Sequence, residues 1–333
     1  MAVLNVALVG SENLARRLGK RGDVRDIESY VHKEEIEGRT RVLSFLRPLK
    51  HPESIRPLLS VLNVAKVGIL EISELSPTVG ESMVAFGCSD IRMGIAVVSP
   101  GDAGWIDSDQ VRMMLDQAGL PDWEVIEEVD EHDVRRILFE MGDALQSDLE
   151  ALNSSPLVLP VDQHFNVKGV GLVAIGYVQS GSLSKHDEVV VLPSGDKGVV
   201  RSLQVMDDDV GTAITGDRVG VALRNLREQS LHRGCVISGT GQEGLVDQES
   251  SRLEIEVAPF QKRSLSVGEV VHASCDLQFS VGRISFLEGG TLVVDWETPL
   301  WVRTDGSSHV ILVQLDAMPM RLMGNVRGIR DAS

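Results

Sequence analysis

The sequence is poor in cysteine and has no long hydrophobic run. Its three cysteines, Cys88, Cys235 and Cys275, are isolated among 333 residues, which argues against a disulfide framework and against the paired spacing of a zinc site. No apolar run approaches the roughly 18 residues of a membrane-spanning helix, and residues 1–10 lack the basic leader of a signal peptide. We therefore expect a cytoplasmic protein without a membrane partner.

Basic residues are also scarce relative to acidic ones. The chain has 32 Lys and Arg against 49 Asp and Glu, which gives a formal net charge of −17 at pH 7. Neutralisation of phosphates supplies most of the nonspecific affinity for nucleic acids, so this balance argues against a DNA-coating protein. A local basic patch for RNA remains compatible with it. The length favours two or three domains with ample core.

Residues 1–153 alternate strand patterns with helical patterns. We predict strands at 4–9, 67–72, 93–98 and 123–129, helices at 13–21, 54–62, 79–86, 108–117 and 134–152, and a hairpin over 27–45 that turns at Glu37-Gly38. Ser108 is expected to cap its helix. Alternation of this kind predicts an α/β domain with a mostly parallel sheet covered by helices on both faces. Asn153 to Pro156 then reads as a linker.

The rest of the chain reads as β structure. From 156 to 240, short β-branched runs such as Leu172–Ile175 and Val219–Leu223 are separated by Gly, Ser and Asp clusters, a pattern typical of a small antiparallel barrel. Residues 239–249 are predicted to form a second hinge. Strand patterns then recur at 253–257, 270–273, 278–284, 291–296, 310–315 and 321–329. They predict a second β barrel over 250–333.

The segment from Pro160 to Ser238 carries an ordered set of family features. It contains Gly169-Val170-Gly171 before a β run, Gly216-Asp217-Arg218 before Val219, and Arg233-Gly234-Cys235 near its end. These features resemble the second domain of translational GTPases of the elongation factor Tu and selenocysteine-specific elongation factor group. Residues 287–290 and 324–329 resemble the third domain of that group more loosely. The resemblance implies an archaeal paralogue whose first domain is P-loop-NTPase-like.

A working phosphate loop needs glycines, a lysine and a Ser or Thr at fixed spacing. At the corresponding place, after the first strand, only Gly10 fits. Arg16 stands where the family has its lysine, Arg17 stands at the magnesium-binding hydroxyl, and Glu12 adds a negative charge. The family's Asp-x-Pro-Gly-His segment aligns with residues 47–51. Arg47 there replaces the magnesium-linked Asp.

Two further family positions are retained. His51 aligns with the histidine that positions the attacking water, so it is the catalytic candidate if GTPase activity persists. Asp102, in Ser99-Pro100-Gly101-Asp102, is the remnant of the guanine-reading motif. Because the magnesium-supporting positions are lost, we expect a pseudo-GTPase with no required cofactor. GTP binding is possible on this interpretation, whereas Mg²⁺ binding is unfavourable beside arginines.

Three functions are compatible with this reading. The first is an elongation-factor-like protein that binds aminoacyl-tRNA, including an unusual one such as selenocysteinyl- or pyrrolysyl-tRNA, or the ribosome and translation factors. The resemblance places the aminoacyl end between the first domain and the first barrel, where Arg224 and His164 are candidate RNA contacts. The second is an active or altered GTP-binding factor in which arginine forks hold phosphate. The third is a noncatalytic scaffold for basic partners.

A lost switch would also change how the domains are arranged. Family members use the γ-phosphate and Mg²⁺ to hold their switch segments and to set domain packing. Without those contacts, no ligand favours one arrangement over another. We therefore expect a domain arrangement that does not depend on nucleotide.

Overall fold

The computed structural model describes residues 2–36, 38–99, 104–127 and 129–332. The chain begins with an α/β domain. Its elements are β1 (Ala2–Val9), α1 (Glu12–Leu18), β2 (Lys20–Val24), β3 (Ile27–Ile36), β4 (Arg39–Pro48), α2 (Arg56–Val64), β5 (Val67–Ile72), α3 (Pro77–Gly87), β6 (Gly94–Val98), α4 (Ser108–Gln117), β7 (Glu124–Ile126) and α5 (Glu131–Leu152).

These strands form one sheet in the order β2-β3-β4-β1-β5-β6-β7. β4, β1, β5, β6 and β7 run parallel to one another, while β3 pairs antiparallel with β4 and β2 pairs antiparallel with β3. Leu14 of α1 and Leu138 of α5 pack on one face. Leu58 of α2 and Phe86 of α3 pack on the other. The predicted mostly parallel sheet with helices on both faces is confirmed.

Three local predictions in this domain were wrong. The first helix ends at Leu18 instead of residue 21, and β2 follows it after Gly19. All five residues of β2 are exposed at the sheet edge, so β2 has no alternation of buried and exposed positions for a pattern to detect. Asp107, not Ser108, caps α4, because its carboxylate accepts the N–H of Asp109. The last strand is limited to β7.

The second domain is a closed barrel with short additional strands. Its elements are β8 (Leu159–Val167), β9 (Gly171–Tyr177), β10 (Ser182–Ser184), β11 (Glu188–Leu192), β12 (Asp196–Val205), β13 (Asp208–Val210), β14 (Thr212–Ile214), β15 (Arg218–Arg224), a 3₁₀ turn (Glu228–Ser230) and β16 (Val236–Gly239). The strands run in the order β11-β16-β8-β9-β15-β12, and β11 pairs with β12 to close the ring.

The third domain is also a closed barrel. It consists of β17 (Leu245–Val257), β18 (Val270–Cys275), β19 (Gln278–Glu288), β20 (Thr291–Arg303), β21 (Val310–Val313) and β22 (Leu322–Asp331). The ring order is β17-β20-β19-β18-β21-β22. The predicted pair of barrels is therefore confirmed. The hinge predicted over 239–249 is shorter than expected, because β17 already begins at Leu245 and pairs there with Arg303 of β20.

The α/β domain shares hydrophobic core with both barrels. Leu59 of α2 belongs to the same buried cluster as Ile311 and Val313 of β21. Val3 and Val42 belong to the cluster that fills the second domain. Close packing across these junctions holds the domains against each other. In the described residues, no helix is both long enough and apolar enough to cross a membrane.

Candidate functional site

The place of the expected phosphate loop is a tight strand-to-helix corner. β1 is connected to α1 by Gly10 and Ser11. The Ser11 hydroxyl accepts the N–H of Leu14 at 3.1 Å and caps the helix. The N–H of Ser11 itself donates to the carboxylate of Glu71, in β5, at 2.5 Å. The Glu71 carboxylate thus already accepts the backbone N–H of Ser11 at this corner.

The approach of Glu71 also explains Gly10. A Cβ at residue 10 would lie 2.8 Å from the Cβ of Glu71 and 2.9 Å from its Oε2, both too close for carbon. The phosphate-loop motif spaces its first glycine and its lysine six residues apart, with the intervening backbone wrapped around phosphates. Here Glu12 to Arg17 are helical. Their N–H groups therefore do not form such a cradle.

Arg16 and Arg17 lie on helix α1 and bind acidic or carbonyl groups of the chain. Arg16 contacts Glu12 at 2.5 Å, and both side chains are about half exposed. Arg17 donates to the carbonyl oxygen of Val129 at 2.6 Å and to Glu131 at 3.0 Å. The contact with Arg16 lowers the pKa of the Glu12 carboxyl, first by hydrogen bonding and then by charge.

Arg47 is held more firmly, at the end of β4. Its Nε donates to the carbonyl oxygen of Gly10 at 2.8 Å, and its Nη1 donates to Glu28 at 3.0 Å. The side chain of Glu28 is 2% exposed, and Arg21 contacts its other oxygen at 2.6 Å. Glu28 and Arg47 are direct partners in the register of β3 and β4. The structure therefore brings Arg47 against Gly10 and pairs it with the buried carboxylate of Glu28.

His51 lies at the junction with the third domain. Its Nε2 is buried and has no hydrogen-bond partner among the described residues. Burial lowers the pKa of His51. The charge of Glu81 raises it and the charge of Arg321 lowers it further, each by less than burial does. Asp102 lies outside the described residues, just beyond β6. His51 and the Gly10 corner thus belong to different surroundings, one at a domain contact and one at a helix start.

Internal pairing balances the charge of the corner. Glu12 and Glu28 pair with arginines, and Glu71 accepts a backbone N–H, so carboxylates of the protein itself already take up these donors. Among the described residues, no group of three His, Cys, Asp or Glu side chains is placed to hold a metal ion. Sequence reasoning missed Glu28 and Glu71. A lone glutamate in the apolar strand Val67–Ile72 was the pattern that could have indicated the latter.

The RNA-contact candidates lie on the second domain but not next to each other. His164 is on β8 and Arg224 ends β15, and β9 runs between these two strands. Arg224 is exposed. His164 instead lines a shallow groove of about 370 Å³ with Arg227 and the 3₁₀ turn. Sequence reasoning missed Arg227, which pairs with Asp196 at 2.6 Å.

Known proteins share this architecture and part of this sequence. The family model described as elongation factor Tu domain 2 matches residues 171–238. An uncharacterized protein of Methanocaldococcus jannaschii is 28% identical over 270 residues, which is 81% of this chain and 82% of that protein. The selenocysteine-specific elongation factor of the same organism is 26% identical over 186 residues, which cover 51% of this chain and 40% of that factor.

The comparison with solved structures points to the same group of proteins as the sequence comparison. The crystal structure of a bacterial selenocysteine-specific elongation factor superposes with a TM-score of 0.79 at 19% identity, covering 98% of this chain and 58% of that one. The matching residues fall in the domain that carries the ordered glycine, Asp and Arg features, and the architecture matches along the whole chain. Residues 171–238 therefore form an elongation factor Tu domain 2, and the chain as a whole has the fold of the selenocysteine-specific elongation factors and is similar to one of them in sequence.

Proposed function

We propose that this protein is an elongation-factor-like protein that binds aminoacyl-tRNA or the translation machinery in the cytoplasm, and that it works without a GTP switch. The observation that carries the second part is the corner at Gly10, where the Glu71 carboxylate accepts the Ser11 N–H at 2.5 Å. A phosphate there would face a carboxylate in place of open donors. A phosphate that approached the Ser11 N–H would lie beside the Glu71 carboxylate, and two negative charges in contact repel strongly in a partly buried site.

The pairing of the arginines supports the same proposal over an altered phosphate site. Arginine forks do bind phosphate well, but Arg16, Arg17 and Arg47 already contact Glu12, Glu131 and Glu28. If Arg47 turned towards a nucleotide, the buried Glu28 carboxylate would lose one of the two arginines that contact it. Removing one partner of a buried pair costs about 3–5 kcal/mol.

Direct contacts with the third domain support a fixed arrangement. Glu81 of α3 binds the backbone N–H and the guanidinium of Arg321, and both side chains are at most 12% exposed. Asn63 accepts from the Ser274 hydroxyl and the Leu277 N–H, each at 3.1 Å. None of these contacts involves a nucleotide-binding segment. Domain packing can therefore persist without a γ-phosphate.

Contacts between the α/β domain and the second domain also support a fixed domain arrangement. Asn5 of β1 donates to the carbonyl oxygen of Gly216 at 2.7 Å. Two ion pairs cross the same junction, Arg218 with Asp23 at 2.8 Å and Arg233 with Asp26 at 2.6 Å. The linker residue Asn153 accepts the N–H of Thr215 at 3.0 Å. The linker is thus part of the packed junction, which argues against a free hinge at this place.

Nucleotide binding is tested by calorimetry. The purified protein is titrated with GTP, GDP and ATP, each with and without Mg²⁺. We expect no saturable heat. Binding that requires Mg²⁺ would contradict the assignment of Arg17 and Arg47 to internal pairs and would favour an active GTP-binding factor delivering a specialised aminoacyl-tRNA.

RNA binding is tested by filter binding of tRNA over a salt series. We expect affinity to fall with salt, and Arg224→Ala to weaken binding and reduce the salt slope by about one. Arg252→Ala is the matched control, because it removes one exposed positive charge from the third domain. Undetectable binding at low salt would remove tRNA as the ligand. A pull-down that survives nuclease treatment would then favour the scaffold function.

A further inference from the structure

A cleft of about 700 Å³ opens between the α/β domain and the second domain. The β1 start and α5 form one side, and the turn over residues 214–217 forms the other. Its apolar wall includes Leu4, Phe139, Leu149 and Ile214. Cavities of this size accommodate small molecules. The cleft is separate from the corner at Gly10 and from the groove at His164.

One wall of the cleft carries a buried carboxylate. Asp217 is 5% exposed, and its Oδ2 accepts the N–H of Ile214 at 2.9 Å. It takes part in no side-chain salt bridge within the described part of the chain. Burial raises the pKa of Asp217 to about 6. The cost of charging a buried carboxylate is recovered when a cation approaches it.

The same turn occurs elsewhere without burial. Asp187 accepts the N–H of Ser184 at 2.7 Å through the same three-residue spacing, yet Asp187 is exposed. The turn itself therefore does not require a buried carboxylate. Around Asp217, the contacts of Gly216 with Asn5 and of Thr215 with Asn153 hold the turn in the junction.

The charged groups of the lining favour a cation. Asp143 and Glu150 of α5 add two further carboxylates. Arg41 is the basic residue of the lining, and it is already bound to Asp143 at 2.6 Å and to the carbonyl oxygen of Phe139 at 2.9 Å. Its guanidinium also lies 4.5 Å from the centre of the Phe139 ring. Arg41 is thus not available to neutralise Asp217.

We infer that this cleft binds a small aliphatic amine, with an ammonium group paired to Asp217 and its hydrocarbon chain against Leu4, Leu149 and Ile214. A flexible diamine or triamine can place a second ammonium near Glu150 at the rim. Gln146 and Asn153 also line the cleft, and a side-chain amide oxygen can accept a hydrogen bond from an ammonium. This site is independent of whether the protein binds tRNA.

The test is calorimetry of the full chain with spermidine and with n-butylamine, and with n-butanol as the uncharged comparator. We expect saturable one-site binding of both amines and none of the alcohol. Asp217→Asn should weaken amine binding at least tenfold, because the amide keeps the acceptor for Ile214 but lacks the charge. Asp187→Asn is the matched control and should change the affinity less than twofold.

Each variant removes one negative charge, so general attraction to the acidic protein affects both equally. Equal weakening by the two variants would overturn the inference, as would equal binding of butanol or the absence of saturable binding. Gln146→Trp provides a second test if Asp217→Asn does not fold, because Gln146 is an exposed residue of the lining. The added ring narrows the cleft and should weaken both amines; unchanged affinity would place the amine elsewhere.

Discussion

Arg47 tests whether the corner at Gly10 is held together by internal charge. We predict that Arg47→Met destabilises the protein by about 2–3 kcal/mol. The substitution keeps an unbranched side chain in place of the aliphatic stem of the arginine but removes its hydrogen bonds to Gly10 and Glu28. Loss of one partner of a buried pair costs about 3–5 kcal/mol. Here the loss is smaller because Arg21 still contacts Glu28 at 2.6 Å.

Arg21, the second arginine that contacts Glu28, allows a more specific prediction. In the double variant with Arg21→Met, Glu28, whose side chain is 2% exposed in the parent protein, loses both of the arginines that contact it in the described residues. We therefore expect the cost of the double variant to exceed the sum of the single costs by about 1 kcal/mol or more. Adding Glu28→Gln should recover part of the loss, because a neutral amide is cheaper to bury than an unpaired carboxylate.

Urea unfolding followed by circular dichroism and tryptophan fluorescence measures these differences. Trp123 is buried in the α/β domain with the Phe86 ring edge-on at 4.7 Å between ring centres, so the part of the emission that comes from Trp123 reports on that domain. Arg16→Ala serves as the control, since its pair with Glu12 is solvent-exposed and exposed pairs contribute little. Equal effects of the Arg16 and Arg47 substitutions, or additive costs at Arg21 and Arg47, would refute the reasoning.

Further predictions concern the domain junctions. Small-angle scattering should give the same profile with no nucleotide, with GDP and with a GTP analogue, and a reproducible change in radius of gyration would contradict a switch-free protein. Burial raises the pKa of Glu81, but the hydrogen bonds and charge of Arg321 outweigh burial and hold the pKa below 4.5. The stability lost in Glu81→Gln should therefore be largest above pH 4.5 and should vanish as pH falls through the pKa of Glu81 in the folded protein. A loss of stability that does not change with pH would exclude the ion pair as its source. Because the pKa of Asp217 is raised from 3.8 to about 6, its contribution to stability is fully present below about pH 4 and is lost as pH rises through 6. Asp217→Asn should therefore be more stable than the parent protein at pH 8, by up to about 3 kcal/mol, and unfolding measured without added amine at pH 4 and pH 8 would show whether this gap exists.

The β structure was largely predictable because its determinants are local. The strand pattern at 270–273 falls within β18, and that at 321–329 falls almost wholly within β22. Alternating burial and turn glycines such as Gly268, with φ of 91°, are encoded within a few neighbouring residues. β2 was missed because an edge strand with every side chain exposed has no such alternation.

The candidate site was less predictable because its contacts join distant residues. Ser11 and Glu71 meet only because β1 and β5 are neighbours in the sheet, which no local pattern specifies. Glu28 and Arg47 are different. The predicted hairpin turn at 37–38 already places residue 28 opposite residue 47, and Gly38 does adopt a positive φ. Glu37 itself lies outside the described residues. Extending that register would have revealed the pair that holds Arg47.

The core shared by the α/β domain and the third domain limits how this chain can be divided. Leu59 and Phe86 pack in one cluster with Ile311 and Leu322, although more than 220 residues separate the two sets. A fragment that ended at the linker would expose to water the part of that cluster that packs against the third domain, and exposed apolar surface of this kind promotes aggregation. Exchange of the barrels with those of a relative would meet the same difficulty, because the partner surface would have to change in the same step. Exchange of whole domains is therefore costly in stability for this chain, whereas substitutions within an existing junction leave the rest of the shared core in place.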